Sequence, residues 1–111
     1  MTPEPSVPAA ALARIRAPFL AETAEAVEPP VLQPLNLLLD LTGESMRARL
    51  FVVQGEGGEE LALRPDFTVP VVRAHVAAGR AAGRYRYEGR AFRVAAAGRP
   101  QEFGQIGLES L

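Results

Sequence analysis

Hydrophobic side chains recur along the chain with three different spacings, and each spacing predicts a kind of element. Leu12, Ile15 and Phe19 recur at helical spacing, which predicts an amphipathic helix over Ala9–Phe19 that ends or bends near Pro18. Residues 21–27 read as a further helical turn or two, and residues 1–8, with three prolines, as a flexible lead-in. Glu28-Pro29-Pro30 breaks the helix. Val31-Leu32-Gln33-Pro34 is then extended, because a residue that precedes proline is pushed out of the helical region. Leu35–Leu41 is an apolar run that calls for burial, and Thr42-Gly43-Glu44-Ser45 is a turn able to cap a short helical segment.

The second half changes spacing. Leu50–Gln54 and Glu60–Arg64 flank Gly55-Glu56-Gly57-Gly58, which predicts a hairpin, since glycine accepts the positive φ of a tight turn. Thr68 is placed to cap a helix with Pro70 in its first turn, running to about Ala78 and ending near Gly79. Gly83–Val94 reads as a strand in which Tyr85 and Tyr87 alternate with Arg84 and Arg86, and Gly89 invites a bulge. That alternation is compatible with base stacking, but a strand with one buried face explains it more simply. Ala95–Gln101 is a small-residue loop containing Gly98 and Pro100, and Glu102–Leu108 is its antiparallel return. The pattern predicts an α+β fold: an antiparallel sheet, built from the hairpin and the last two strands, flanked by helices.

At 111 residues the chain supports one small domain with a core. Its net charge of -1 argues against a general polyanion binder. Acids outnumber arginines nine to four up to Leu63, and arginines outnumber acids eight to four from Arg64 onward, so the second half suits anionic groups better. Every basic residue is arginine, a uniformity that reads as codon bias more than as a demand for bidentate contacts. Without cysteine there is no thiolate chemistry, and a lone His75 beside scattered acids builds no metal cluster. His75 reads as a packing or helix-surface residue, Gly55–Gly58 as a turn that lacks the lysine of a phosphate loop. No cofactor and no metal are expected. The N-terminus has no basic segment before an apolar core and no run is long enough to cross a bilayer, so a cytoplasmic location with no membrane partner is expected.

The candidate chemistry lies at strand ends. Asp66 and Thr68 stand at a strand-to-helix junction, where a carboxylate and a hydroxyl can accept hydrogen bonds from an amino group; equally, they can serve only the helix terminus. Arg93 offers a planar fork for a phosphate or carboxylate, or else pairs with Glu88 or Glu102 on the surface. Gln105 and Glu109, four residues apart on a strand, point to the same face.

These segments, in this order, resemble the class II aminoacyl-tRNA synthetases. Val27–Pro30 with Val31-Leu32 resembles motif 1, Leu63–Thr68 with Arg73 resembles the Arg-Pro-Glu-Gly-Thr segment of histidyl-tRNA synthetases, and Gly89–Glu109 resembles motif 2. The wording of Pro30–Pro34, Leu39–Glu44, Arg49-Leu50-Phe51 and Leu63–Thr68 is similar to that of the ATP phosphoribosyltransferase regulatory subunits, synthetase-like relatives used in histidine biosynthesis. The resemblance implies a histidine-binding site in which Asp66, Thr68 and Gln105 hold the amino group, Glu109 the imidazole, and Arg93 a carboxylate or phosphate.

Two departures narrow the resemblance. A synthetase has a glutamate two residues after the motif 2 arginine to engage ATP, and here Val94-Ala95 supplies no polar side chain. Asp66 also replaces the longer glutamate. The resemblance therefore implies a noncatalytic regulatory subunit that joins the short catalytic ATP phosphoribosyltransferase in a hetero-oligomer, self-associates through motif 1, and takes L-histidine as allosteric effector, with no tRNA binding. Residues 9–111 correspond to the N-terminal part of the synthetase-like domain, with motifs 1 and 2 and no motif 3, as in a fragment or truncated product. A histidyl-tRNA synthetase fragment and a structural remnant that binds no ligand are the alternatives.

Overall fold

The computed structural model of the protein describes residues 2–3, 8–95 and 100–111. Most of the expected lead-in, and Gly98 in the loop after Val94, lie outside the described residues. The first helix, α1, spans Ala9–Ala21 with Pro18 inside it, longer than the spacing predicts. It packs lightly: none of its residues is buried, and Ile15 and Leu20 are half exposed. Residues 21–27 correct the expectation of further helix, because Glu25–Ala26 forms a short strand beside Tyr85 and Arg86. The helix-favouring Ala-Glu composition there yields to backbone pairing, and Val27 donates its N–H to the carbonyl of Arg86 at 3.0 Å.

Taking Thr2–Pro3 as β1 and Glu25–Ala26 as β2, the chain continues through β3 (Leu32–Pro34), α2 (Leu35–Thr42), a 3-10 turn (Glu44–Arg49), β4 (Val52–Gln54), β5 (Glu60–Leu63), α3 (Thr68–Ala77), β6 (Arg84–Val94) and β7 (Pro100–Ser110). The α+β class stands, but the strands divide into two sheets. One has the order β1-β7-β6-β2, with a long antiparallel β6–β7 ribbon edged by parallel pairings, and the other has the order β3-β5-β4. The hairpin therefore does not extend the sheet of the last two strands.

Each sheet has its own core. Leu35, Leu38, Leu39, Leu50 and Ala62 bury the inner face of the small sheet against α2, as the apolar run demands. Phe67, Val71, Tyr85 and Tyr87 form the core between α3 and the large sheet. Arg64 joins the two, donating from Nε to the carbonyl of Arg90 at 2.8 Å and from Nη1 to that of Pro29 at 2.6 Å, while its guanidinium lies 4.2 Å from the Phe67 ring centre. A buried cation so placed is satisfied by oxygens on both sides.

The β6–β7 ladder runs without interruption from Arg84↔Ser110 to Val94↔Pro100, so Gly89 makes no bulge. Its bareness has another cause. A Cβ there would stand 2.8 Å from Cζ of Phe67 and 3.0 Å from an Arg64 nitrogen, so glycine is what lets the junction residues settle onto the sheet.

Candidate functional site

The site is assembled where α3 begins above the β6–β7 ribbon. Opposed residues in an antiparallel ladder share a face, so Tyr85, Tyr87, Gly89, Ala91 and Arg93 lie on one side together with Glu109, Gly107, Gln105 and Phe103. Tyr85 and Tyr87 are buried there, which agrees with the reading of one buried strand face. His75 is buried as well and is a packing residue, with Nδ1 2.6 Å from the Tyr85 hydroxyl.

The junction corrects the expected cap. Thr68 is the first residue of α3, after Phe67 at the N-cap, and its backbone N–H donates to Oδ1 of Asp66 at 3.1 Å, so the carboxylate satisfies the first free N–H of the helix and favours its dipole. The Thr68 hydroxyl is thereby left for a partner across the site, donating to Oε1 of Glu109 at 2.9 Å. Asp66 and Glu109 each commit one oxygen within the protein in this way. Among the described residues no hydrogen bond occupies Oδ2 of Asp66 or Oε2 of Glu109, so an approaching N–H group finds an acceptor on each side.

Gln105 stands on the same face as Glu109, and its Oε1 is buried with no hydrogen-bond partner among the described residues. A buried amide oxygen in that condition is uncommon, and a water or a ligand atom is its ordinary partner. Arg93 does not make the expected surface pair: Glu88 binds Arg16 and Glu102 binds Arg90. Instead its Nε donates to the carbonyl of Pro65 at 2.8 Å, and its guanidinium lies 4.9 Å from the Phe103 ring centre. It sits beside the Asp66 segment, at the end of the ribbon remote from Glu109.

Tyr87 is the member that strand alternation presented only as a core side chain. It stacks on Phe67 at 4.7 Å, and a Cβ on Gly107 would lie 2.2 Å from its hydroxyl. The phenol thus occupies the gap above Gly107, between Gln105 and Glu109. The sequence signal for this is the glycine set two residues from each of two polar site candidates. Burial raises the phenol pKa above the ordinary 10.0, with further contributions from Glu109 and Asp66. The folded state therefore holds this proton more tightly than the unfolded chain. Its stabilisation is complete below pH 10.0 and is lost as pH rises through the folded value. Urea midpoints across the alkaline range are expected to fall more steeply for the wild type than for Tyr87→Phe.

Comparison with known proteins decides the family. The histidyl-tRNA synthetase family profile matches residues 10–111. The chain belongs to the histidyl-tRNA synthetase family. Within it, the chain is 44% identical over 98 residues to the ATP phosphoribosyltransferase regulatory subunits of Brucella ovis and Brucella suis. Those alignments cover 87% of this chain and 26% of each relative, so the chain spans about a quarter of the relatives' length.

Solved structures give the same fold at lower identity. A histidine–tRNA ligase subunit from Alicyclobacillus acidocaldarius superposes with a TM-score of 0.74 at 24% identity, over 96% of this chain and 33% of that one. An ATP phosphoribosyltransferase regulatory subunit/histidyl-tRNA synthetase from Bacillus halodurans gives 0.69 at 23%, over 91% and 26%. The fold is the class II synthetase-like α+β fold.

Proposed function

We propose that this chain carries the effector site of a regulatory subunit of ATP phosphoribosyltransferase, the complex that opens histidine biosynthesis, and that the effector is L-histidine. The observation that carries the reading is the Thr68–Glu109 hydrogen bond of 2.9 Å, which draws together two candidates far apart in sequence and leaves open carboxylate oxygens from Asp66 and Glu109 beside them. Two carboxylates and a hydroxyl suit an ammonium group and an imidazole N–H, and Arg93 suits a carboxylate. The names of the Brucella relatives support the assignment to a regulatory subunit.

In this reading the chain is noncatalytic and cytoplasmic, and the reaction takes place on a catalytic partner with which it assembles. Histidine acts through linkage: it inhibits by binding one arrangement of the assembly more tightly than another. Titration of the purified chain with L-histidine, followed by thermal unfolding, tests the site. A concentration-dependent rise in midpoint that lysine does not reproduce is expected; an unchanged midpoint at millimolar histidine, together with no heat of binding, contradicts the reading.

A second reading, an amino-acid-activating fragment, draws support from the family's name and from the Alicyclobacillus neighbour. Val94-Ala95, where a synthetase presents a carboxylate to ATP, weighs against it. Histidine-dependent exchange between ATP and pyrophosphate is expected to stay at background, and robust exchange would favour the synthetase.

Self-association is proposed on the outer face of the small sheet. Leu32 pairs with Leu63, and Val53 with Leu61, on the side turned away from Ala62 and α2; Leu32 is 44% exposed and Val53 41%. An apolar sheet face left open in this way favours a partner. Light scattering at rising concentration is expected to show more than a monomer, and Leu32→Glu to reduce it.

A further inference from the structure

Two polar groups on the site face, Oε1 of Gln105 and the Tyr87 hydroxyl, make no hydrogen bond among the described residues, and the histidine reading so far uses only one of them. On β7 the site face presents Gln105, Gly107 and Glu109 in succession. Alternate residues on a strand are roughly 7 Å apart, so the gap above Gly107 is wide enough for one polar group to reach toward both neighbours. The Tyr87 hydroxyl fills it: a Cβ on Gly107 would lie 2.2 Å from that oxygen.

The residue is only 8% exposed, and its ring is stacked on Phe67. Yet among the described residues the hydroxyl makes no hydrogen bond, although Glu109 and Asp66 are close enough to act on its charge. A phenol near two carboxylates ordinarily donates to one of them. Here it donates to neither: Glu109 accepts from Thr68 and Asp66 from the α3 backbone, and the second oxygen of each carries no hydrogen bond among the described residues. Beside it, Oε1 of Gln105 is buried and unbonded. Burial leaves Oε1 of Gln105 unsatisfied, and the Tyr87 hydroxyl, fixed by ring stacking and making no hydrogen bond among the described residues, can donate to a ligand atom that reaches the same face.

We infer that Tyr87 is a direct ligand contact, its hydroxyl donating to an acceptor nitrogen of the effector's side chain. The inference rests on the histidine reading and completes its chemistry. Asp66, Glu109 and Oε1 of Gln105 can only accept, so they account for N–H groups of a ligand. A neutral imidazole has one N–H and one bare nitrogen. Glu109 satisfies the first, and the phenol, still protonated at neutral pH, satisfies the second. An alkylammonium side chain offers no such lone pair, so Tyr87 contributes selectivity for a nitrogen heterocycle over lysine-like amino acids.

Isothermal titration of L-histidine into the wild-type chain, Tyr87→Phe, Tyr85→Phe and Glu109→Gln tests this. Tyr87→Phe keeps the ring and its stacking, and is expected to weaken histidine binding roughly three- to tenfold, the effect of one hydrogen bond. Tyr85→Phe removes the neighbouring buried hydroxyl, whose partner is His75, and is expected to leave histidine affinity unchanged. Wild-type affinity in Tyr87→Phe, with binding lost in Glu109→Gln, overturns the role of Tyr87 while sparing the histidine site. Equal weakening in both tyrosine variants reduces Tyr87 to packing and overturns it as well. Absence of histidine binding in the wild type defeats both readings together.

Discussion

Phe67→Ala is expected to destabilise the protein by about 3–5 kcal/mol, the usual cost of emptying a large buried aromatic site. The ring is 1% exposed and is in contact on several sides: the Tyr87 ring at 4.7 Å, the Arg64 guanidinium at 4.2 Å and the bare backbone of Gly89. Each of those neighbours is itself immobilised. Tyr87 is locked into the ladder, Arg64 is tied to the carbonyls of Arg90 and Pro29, and Gly89 has no side chain to shift into the space. The site thus collapses poorly, which places the expected cost toward the upper part of that range.

Such a loss is large beside the stability of an ordinary domain. Domains of ordinary size are stable by about 5–15 kcal/mol, so the variant loses much of the cooperative transition in urea. A midpoint shift worth less than about 1 kcal/mol would mean that Phe67 does not hold the junction together.

The second large effect is on binding. Asp66→Asn and Glu109→Gln are each expected to weaken histidine binding by at least about 30-fold, since removing a carboxylate charge that pairs with a ligand ammonium or accepts the imidazole N–H costs about 2 kcal/mol or more. Both replacements keep the shape of the side chain. In Glu109→Gln the remaining side-chain oxygen can still accept from Thr68, and in Asp66→Asn it can still accept from the first N–H of α3, so thermal unfolding without ligand should change little. Loss of affinity with the fold retained separates ligand binding from a purely structural duty. Near wild-type affinity in both variants would reduce the two carboxylates to support of the helix terminus and an interstrand tie.

Much of this architecture is readable in the residues wherever a local rule meets no competitor. Gly55–Gly58 sets the hairpin, Pro70 and Gly79 bracket α3, and the alternation of Tyr85 and Tyr87 with arginines declares a strand with one buried face. Residues 21–27 are different: their helical propensity is a few tenths of a kcal/mol per residue, and pairing with β6 outweighs it. The division into two sheets is also hidden, because it depends on Arg64 and Phe67 turning the chain out of β5, not on any periodicity.

The site shows the same boundary. That Gln105 and Glu109 share a face comes from counting residues, and that Asp66 lies near the start of α3 comes from its place before Thr68. Which of Asp66 and Thr68 satisfies the helix terminus does not, since both residue types do so and they are only two positions apart. The register that sets Tyr87 opposite Gly107 is invisible until both strands are placed, and it is that register which puts a hydroxyl between the two polar neighbours on β7.

The most direct test of a histidine site at this junction is the amide NMR spectrum of isotope-labelled protein titrated with L-histidine. Saturable shifts concentrated at Asp66, Thr68, Gln105, Gly107 and Glu109 are predicted, with the residues of the small sheet unmoved. Shifts that cluster elsewhere, or none at millimolar histidine in a folded sample, would contradict it.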